Sequence, residues 1–262
     1  TGKNISAVYE RFGASTDKSF VWRDQQFLGT RLDQRIVVYE ASESRKIALS
    51  LNRPFYASIV PSSLGAAVDY AEKSVPNFSG ETQIGTVRRR DFNAGVNYGV
   101  AFGTSTQRSR HITIGILHSL SLYDSLRQSP SPAPPKERLT FLQLGGDWQE
   151  FKYIKERHIQ KYSREEDFNL GFGIFPSVAW SPKLRMLSTT ESQILPKISL
   201  RKGLRLPLGP LVLLRGDYSS TYVNGGNGHR IATIDFQFFS HIMPQQTLAM
   251  HAAYDHGWRL AP

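Results

Sequence analysis

Apolar and polar residues alternate with a period of two along most of this chain. In Asp91 to Gly103, Phe92, Ala94, Val96, Tyr98, Val100 and Phe102 fall on one face. Asp91, Asn93, Gly95, Asn97, Gly99, Ala101 and Gly103 fall on the other. A helix would scatter the two sets around its circumference, whereas a strand separates them. The same split recurs at Ile47, Leu49 and Leu51; at Ile112, Ile114 and Ile116; and at Phe168, Leu170, Phe172 and Ile174. It recurs again at Ile234, Phe236 and Phe238, and at Leu248, Met250, Ala252 and Tyr254. With weaker segments added, the pattern predicts about thirteen strands, over 4–12, 18–27, 34–41, 46–56, 64–73, 89–103, 109–123, 138–154, 167–180, 194–206, 211–222, 229–240 and 247–259. Some connections are tight, such as Gly29-Thr30, Pro61-Ser62-Ser63, Leu208-Gly209-Pro210 and Pro244-Gln245-Gln246. Others are longer and polar, such as 74–88, Ser129–Pro135, 181–193 and Asn224–Gly228. No amphipathic helix of three turns can be read, so the chain is all-β.

Alternation alone does not say which face meets water. A soluble sandwich buries its apolar face in a shared core; a membrane barrel turns the same face toward lipid and its polar face toward a lumen. Three features favour the barrel. Stretches such as 89–103 and 109–123 far exceed the about 5–6 residues of a sandwich strand. The non-apolar faces carry Gly, Asn, Ser, Thr and Ala instead of the Lys/Glu mix of a solvated sheet. Aromatic residues gather near strand ends (Trp22 and Phe27, Phe55 and Tyr56, Tyr123, Phe151 and Tyr153, Trp180, Trp258), where an interfacial girdle would place them. The expected fold class is therefore a transmembrane antiparallel up-and-down β-barrel.

Composition sharpens this picture. The 262 residues fit one large domain or two small ones. No run approaches the about 18 apolar residues of a spanning helix, which leaves a spanning barrel untouched. There are no cysteines, so disulfide scaffolds, thiolate metal sites and cysteine nucleophiles are out. The start, Thr1-Gly2-Lys3-Asn4-Ile5, has no signal-peptide pattern; the chain reads as cytosolic, mature or cut from something longer. Lys and Arg outnumber Asp and Glu 32 to 22, a net charge of +10 that first suggests nucleic acid.

The placement of those charges points elsewhere. Lys197, Ser199, Arg201, Gly203 and Arg205 share one face of a strand whose other face carries Ile198, Leu200, Leu204 and Leu206. If the apolar face meets lipid, three cations point into a lumen. Arg88-Arg89-Arg90 opens another strand at its rim. A cation facing lipid at the midplane costs roughly 2–4 kcal/mol, so such charges belong inside or at the rims. Lys202, on the nominally apolar face, is expected near an interface, snorkelling. A cationic conduit or an anionic-lipid rim is one reading. Lumen charges paired with Asp and Glu of facing strands is the other, and the favoured one.

Candidate chemistry is thin. His251 and His256 lie on opposite sides of a strand and cannot share a metal. For an embedded lipase, His111 near Ser109 and His118 near Ser119 are the nearest pairs, but adjacent strand residues point apart and a generic lumen or interface position is preferred. Asn224-Gly225-Gly226-Asn227-Gly228 reads as a turn, with no strand–loop–helix to make it a phosphate cradle. No catalytic, cofactor-binding or metal residue is assigned.

Short motifs carry a family resemblance. Arg23-Asp24-Gln25-Gln26-Phe27-Leu28-Gly29-Thr30, followed by Leu51-Asn52-Arg53-Pro54-Phe55-Tyr56, resembles the opening of an outer-membrane assembly-factor barrel, the superfamily of BamA, TamA and the two-partner-secretion transporters. There an N-(F/W)-L-G-T-G turn joins the second and third strands and an (E/N)-P-Y-F element closes the fourth. Here Gln26 stands for Asn, Arg31 for the second Gly, and Arg53 precedes the proline. Glu166-Asp167-Phe168-Asn169-Leu170-Gly171 and His251-Ala252-Ala253-Tyr254-Asp255-His256-Gly257-Trp258-Arg259-Leu260 are also similar to the family. Its arginine-glycine-aromatic tip on the sixth extracellular loop is not found. Arg215-Gly216-Asp217 lies inside an alternating strand and ends in Asp. The family usually places about eleven strands before that loop, against the thirteen read here.

The resemblance implies residues 1–262 as the N-terminal portion of a bacterial outer-membrane β-barrel domain whose C-terminal strands are missing. It implies a mechanical function and no enzyme: inserting other outer-membrane proteins or passing polypeptide across the membrane through a weak first-strand seam. The partners implied are outer-membrane lipid, the barrel's own missing strands and a client strand at the edge 4–12, with no nucleic acid and no cofactor. The alternatives are a passive pore or anchor for a fused periplasmic domain, a barrel-embedded lipase, and a soluble basic β protein that binds nucleic acid.

Overall fold

Strand pairing in chain order builds nearly the whole molecule. The computed structural model describes every residue except 1, 13–14, 56–59, 80, 126–135, 158, 160–164, 185–188, 190, 208, 244–245 and 259–262. The Pro-rich connection 129–135, Tyr56, the tip of the 244–246 turn and Arg259-Leu260 thus fall outside the described residues. The first four strands are short: β1 (Lys3–Phe12), β2 (Ser15–Asp24), β3 (Asp33–Ala41) and β4 (Ser44–Arg53). Then come β5 (Ser62–Ser79), β6 (Thr82–Ala101) and β7 (Arg108–Ser125), of 18 to 20 residues each. β8 (Glu137–Glu150) leads into a small hairpin of β9 (Tyr153–Arg157) and β10 (Glu165–Asn169). The series closes with β11 (Phe172–Ser181), β12 (Gln193–Arg205), β13 (Leu211–Val223), β14 (Gly226–Met243) and β15 (Gln246–Trp258).

Thirteen of these strands form one antiparallel sheet, matching the number read from the periodicity. β8 pairs directly with β11, while β9 and β10 make a separate two-stranded sheet. Among the described residues the large sheet stays open, with β1 at one edge and β15 at the other.

Local chemistry explains the reversals. Asn224 (φ 50°) and Gly225 (φ 80°) form a two-residue loop with both φ positive, whose twist suits an antiparallel pair. Between β2 and β3, Leu28 (φ 55°) and Gly29 (φ 70°) turn the chain left-handed. Asp24 accepts from Gln26 N at 3.0 Å, and Thr30 Oγ1 donates to Phe27 O at 2.7 Å.

The two faces of the sheet are inverted relative to a soluble sandwich. Ile114 and Ile234 are each 57% exposed, Val96 is 56% and Leu144 51%. Small and polar residues on the opposite face are covered instead: Ser63, Ser109, His111, Ser121 and Ser199 are buried. The apolar band is thus the outer surface.

Three sequence expectations change. The loop expected at 74–88 is strand: β5 and β6 continue as one hairpin, with Val75 paired to Val87 and Val87 buried. Arg88-Arg89-Arg90 therefore lies inside β6. The single strands expected over 138–154 and 167–180 are each divided, because the chain leaves the wall after Glu150 and rejoins it at Phe172. The apparent run Phe168, Leu170, Phe172, Ile174 thus belongs to two different sheets.

Candidate functional site: the open edge and the lumen wall

β1 pairs with β2 over its whole length, from Lys3 opposite Asp24 to Phe12 opposite Ser15, and its other side is a sheet edge. Ile5 and Tyr9 share the outer face with Phe20 and Trp22 of β2, and are 64% and 65% exposed. The strand is tied down at its start, where Gln25 N donates to Gly2 O at 2.9 Å and Lys3 Nζ lies 4.0 Å from the buried Asp24 carboxylate. A row of unpaired backbone donors and acceptors on such an edge is a template for another strand.

The inner wall of β11–β14 carries the charges expected of a lumen. Arg215 Nε lies 2.6 Å from Asp217 Oδ2, and Ser199 Oγ donates to the same carboxylate. On β15, His251 Nε2 lies 2.5 Å from Asp235 Oδ2. Arg201 sits over the Phe175 ring, 5.0 Å from its centroid. Arg205 reaches Glu156 of β9 at 3.0 Å. The favoured reading expected acids of facing strands; instead Arg205 meets Glu156 of the β9–β10 hairpin, Arg215 meets an acid of its own strand, and Arg201 uses an aromatic face. Lys202 lies on the outer face opposite Phe172 and Leu214, toward the end of β12. A cavity of about 890 Å³ opens on this wall, lined by Lys197, Arg201 and Arg215 against Asp167, Asp217 and Asp235.

The β9–β10 hairpin roofs one end of that wall. Phe168 and Leu170 pack with Leu211 and Phe239, joined by Ile154, Ile159 and Leu213. Glu156 also faces His241 Nε2 at 3.4 Å. The neck of the hairpin is held by one side chain: Asn169 Oδ1 accepts from Lys152 N and Gly171 N, and Nδ2 donates to Glu150 O, all at 2.9 Å. Close approach requires glycine here. A Cβ on Gly171 would lie 2.0 Å from Glu150 O, and one on Gly203 would lie 2.8 Å from the Leu170 Cα.

The histidine candidates separate. His118 and Ser119 point to opposite faces, and His118 Nδ1 pairs with Thr140 Oγ1 at 2.9 Å. Ser109 and His111, two apart, share the inner face. The contacts of His111 are Asp147, 2.7 Å from Nδ1, and the Phe55 ring, stacked at 3.9 Å. His251 faces inward, whereas His256 lies outward between Tyr254 and Trp258. Among the described residues no group of three His, Cys, Asp or Glu side chains could hold a metal.

No family model matches the chain, and no curated protein matches it. Solved structures do. BamA from Haemophilus ducreyi, lacking POTRA domains 1-3, superposes with a TM-score of 0.59 at 10% identity, over 98% of this chain and 58% of that one. CdiB from Acinetobacter baumannii superposes with a TM-score of 0.55 at 10% identity, over 99% of this chain and 49% of that one. The chain shares the β-barrel fold of these two structures.

It spans about half the length of each of these two structures. Within the barrel wall, the family-like Gln26–Thr30 segment is the β2–β3 turn, and Phe55 of the second motif folds inward onto His111. Arg215-Gly216-Asp217 lies in mid-strand β13, as expected. Glu166–Gly171 forms the docked hairpin and its neck, not a wall strand. Periodicity could not reveal this, because β10 alternates like its neighbours. The one local signal was Asn169 followed by Gly171, a side chain able to replace ladder bonds beside a residue without Cβ.

Proposed function

We propose that this chain is the first part of an outer-membrane barrel, completed by further strands, that assists insertion of other outer-membrane proteins or moves polypeptide across the membrane. The observation carrying this reading is the edge strand β1, exposed along both faces and paired on one side only. An incoming client strand adds to such an edge through main-chain hydrogen bonds, which demand little of client sequence. The work is mechanical and needs no nucleophile or metal. The superposition on BamA and CdiB supports the same reading.

None of these 262 residues is cysteine, so an introduced pair meets no competing thiol within them. In the full-length protein, a photo-cross-linker at Ser6 or Tyr9 is expected to capture nascent outer-membrane proteins. A disulfide locking β1 to the strand that closes the barrel is expected to halt client assembly. Normal client assembly by the locked protein would sink the seam, and conductance without any client effect would make the barrel a passive pore.

A further inference from the structure

The outer surface carries a feature that neither the edge nor the lumen uses. Lys18, Glu40, Arg45, Glu72 and Arg90 lie directly opposite one another across five adjacent strands, β2 to β6. Two residues nearer the middle of each strand runs a second row, Phe20, Val38, Ile47, Tyr70 and Phe92. These five point the same way as the charged row, because residues two apart share a face. The charges therefore sit one step beyond the apolar band on the lipid side. That is the level of lipid headgroups, since a cation deeper on this face would meet hydrocarbon.

Arg88 widens the row on β6, beside Asp124 of β7. Arg11 faces outward at the same end of β1. Five cations, Lys18, Arg45, Arg88, Arg90 and Arg11, thus stand with three acids, Glu40, Glu72 and Asp124. The cations of these pairs are solvent-facing: Lys18 and Glu40 are 3.5 Å apart with both side chains more than half exposed, Arg90 lies 2.5 Å from Asp124 with both partly exposed, and Arg88 is 3.3 Å from the less exposed Glu72 and itself 52% exposed. Exposed pairs of this kind hold weakly. A phosphate, which an arginine grips with two parallel hydrogen bonds, competes with them on favourable terms.

We propose that this outward ladder, centred on Arg45, Arg88 and Arg90, binds the phosphate groups of a phosphorylated lipid headgroup in the adjacent leaflet. The apolar row beneath it packs the acyl chains of the same lipid. The surface is independent of the seam, so it stands whether or not β1 receives clients.

The test uses the full chain in detergent, with native mass spectrometry counting retained lipid A. Diphosphorylated lipid A is compared with its dephosphorylated analogue. The phosphorylated form is expected to be retained preferentially, and the R45Q/R88Q/R90Q variant to lose that preference by on the order of tenfold. R201Q, which removes a cation from the lumen, is expected to leave retention unchanged. E72Q, which frees Arg88 from its acid, is expected to raise it. Heat-modifiable gel migration confirms folding of each variant, and E72Q keeps the test informative if the triple variant does not fold. Equal retention of the two lipids, an equal loss in R201Q, or no gain in E72Q would overturn the proposal. So would displacement of the lipid by excess inorganic phosphate, which would make the row a general anion surface.

Discussion

Gly171 occupies a position where a single methyl group decides the path of the chain. Its missing Cβ lets Glu150 O approach within a distance no side chain tolerates, and Asn169 then closes the neck with three hydrogen bonds. Gly171→Ala forces the backbone itself to shift, since the clashing atom is a carbonyl oxygen. It is expected to destabilise the barrel by about 2 kcal/mol or more, read as a lower urea midpoint in detergent. Gly225→Ala, in a turn with open space around it, strains only the backbone at φ 80° and is expected to cost about 1 kcal/mol. The contrast separates crowding from conformation. Crowding of this kind was barely legible in the sequence: apart from Asn169 two residues before it, nothing in the spacing of Gly171 distinguishes it from the many glycines of the inner face.

At the scale of single strands, alternation said which residues share a face but not which face is outside. On β14, Ile234 points outward at 57% exposure while Thr233 lines the lumen cavity with Asp217 and Asp235. Ile234→Arg is expected to lower barrel stability by roughly 2–4 kcal/mol in a bilayer, whereas Thr233→Arg, beside two carboxylates, is expected to change it by less than about 1 kcal/mol. Folding titrations into vesicles read both. Equal effects would mean the two faces have been assigned the wrong way round. The hairpin is a second case. Its anchor Phe168 is buried against Phe239, with ring centroids 6.3 Å apart. Phe168→Ala removes a side chain whose burial in cores contributes about 3–5 kcal/mol. The expected outcome is a loosened hairpin and larger conductance in planar bilayers, with the strands of the wall retained. Sequence reading missed this element because β9 and β10 extend the alternation of β8 and β11 without a break in period. Only the two departures from the wall, after Glu150 and before Phe172, distinguish them.

For the whole molecule, the number of wall strands and the inverted faces followed from periodicity, strand length and the composition of the polar face. The open edges did not, because which strands sit last in a sheet depends on pairing and not on local pattern. The charge surplus divides in the same way. Arg205 and Arg215 meet acids inside, and Arg88 and Arg90 meet them outside, at Glu72 and Asp124. A surface with this division is what a bilayer setting would require. The chain is expected to partition with membranes, to need detergent for extraction and to migrate faster on gels before heating than after. A detergent-free soluble monomer would contradict the inverted faces directly.

The docked hairpin also carries a clock. It precedes β12, β13 and β14 in the chain, yet Phe168 and Leu170 have only Ile154 and Ile159 to rest on until Leu211 and Phe239 are in place. Contacts between residues so far apart in sequence carry the entropy of closing a long loop and form slowly. Seating of the hairpin is therefore a late event, and the wall from β1 to β8 must be able to assemble with that segment still unplaced.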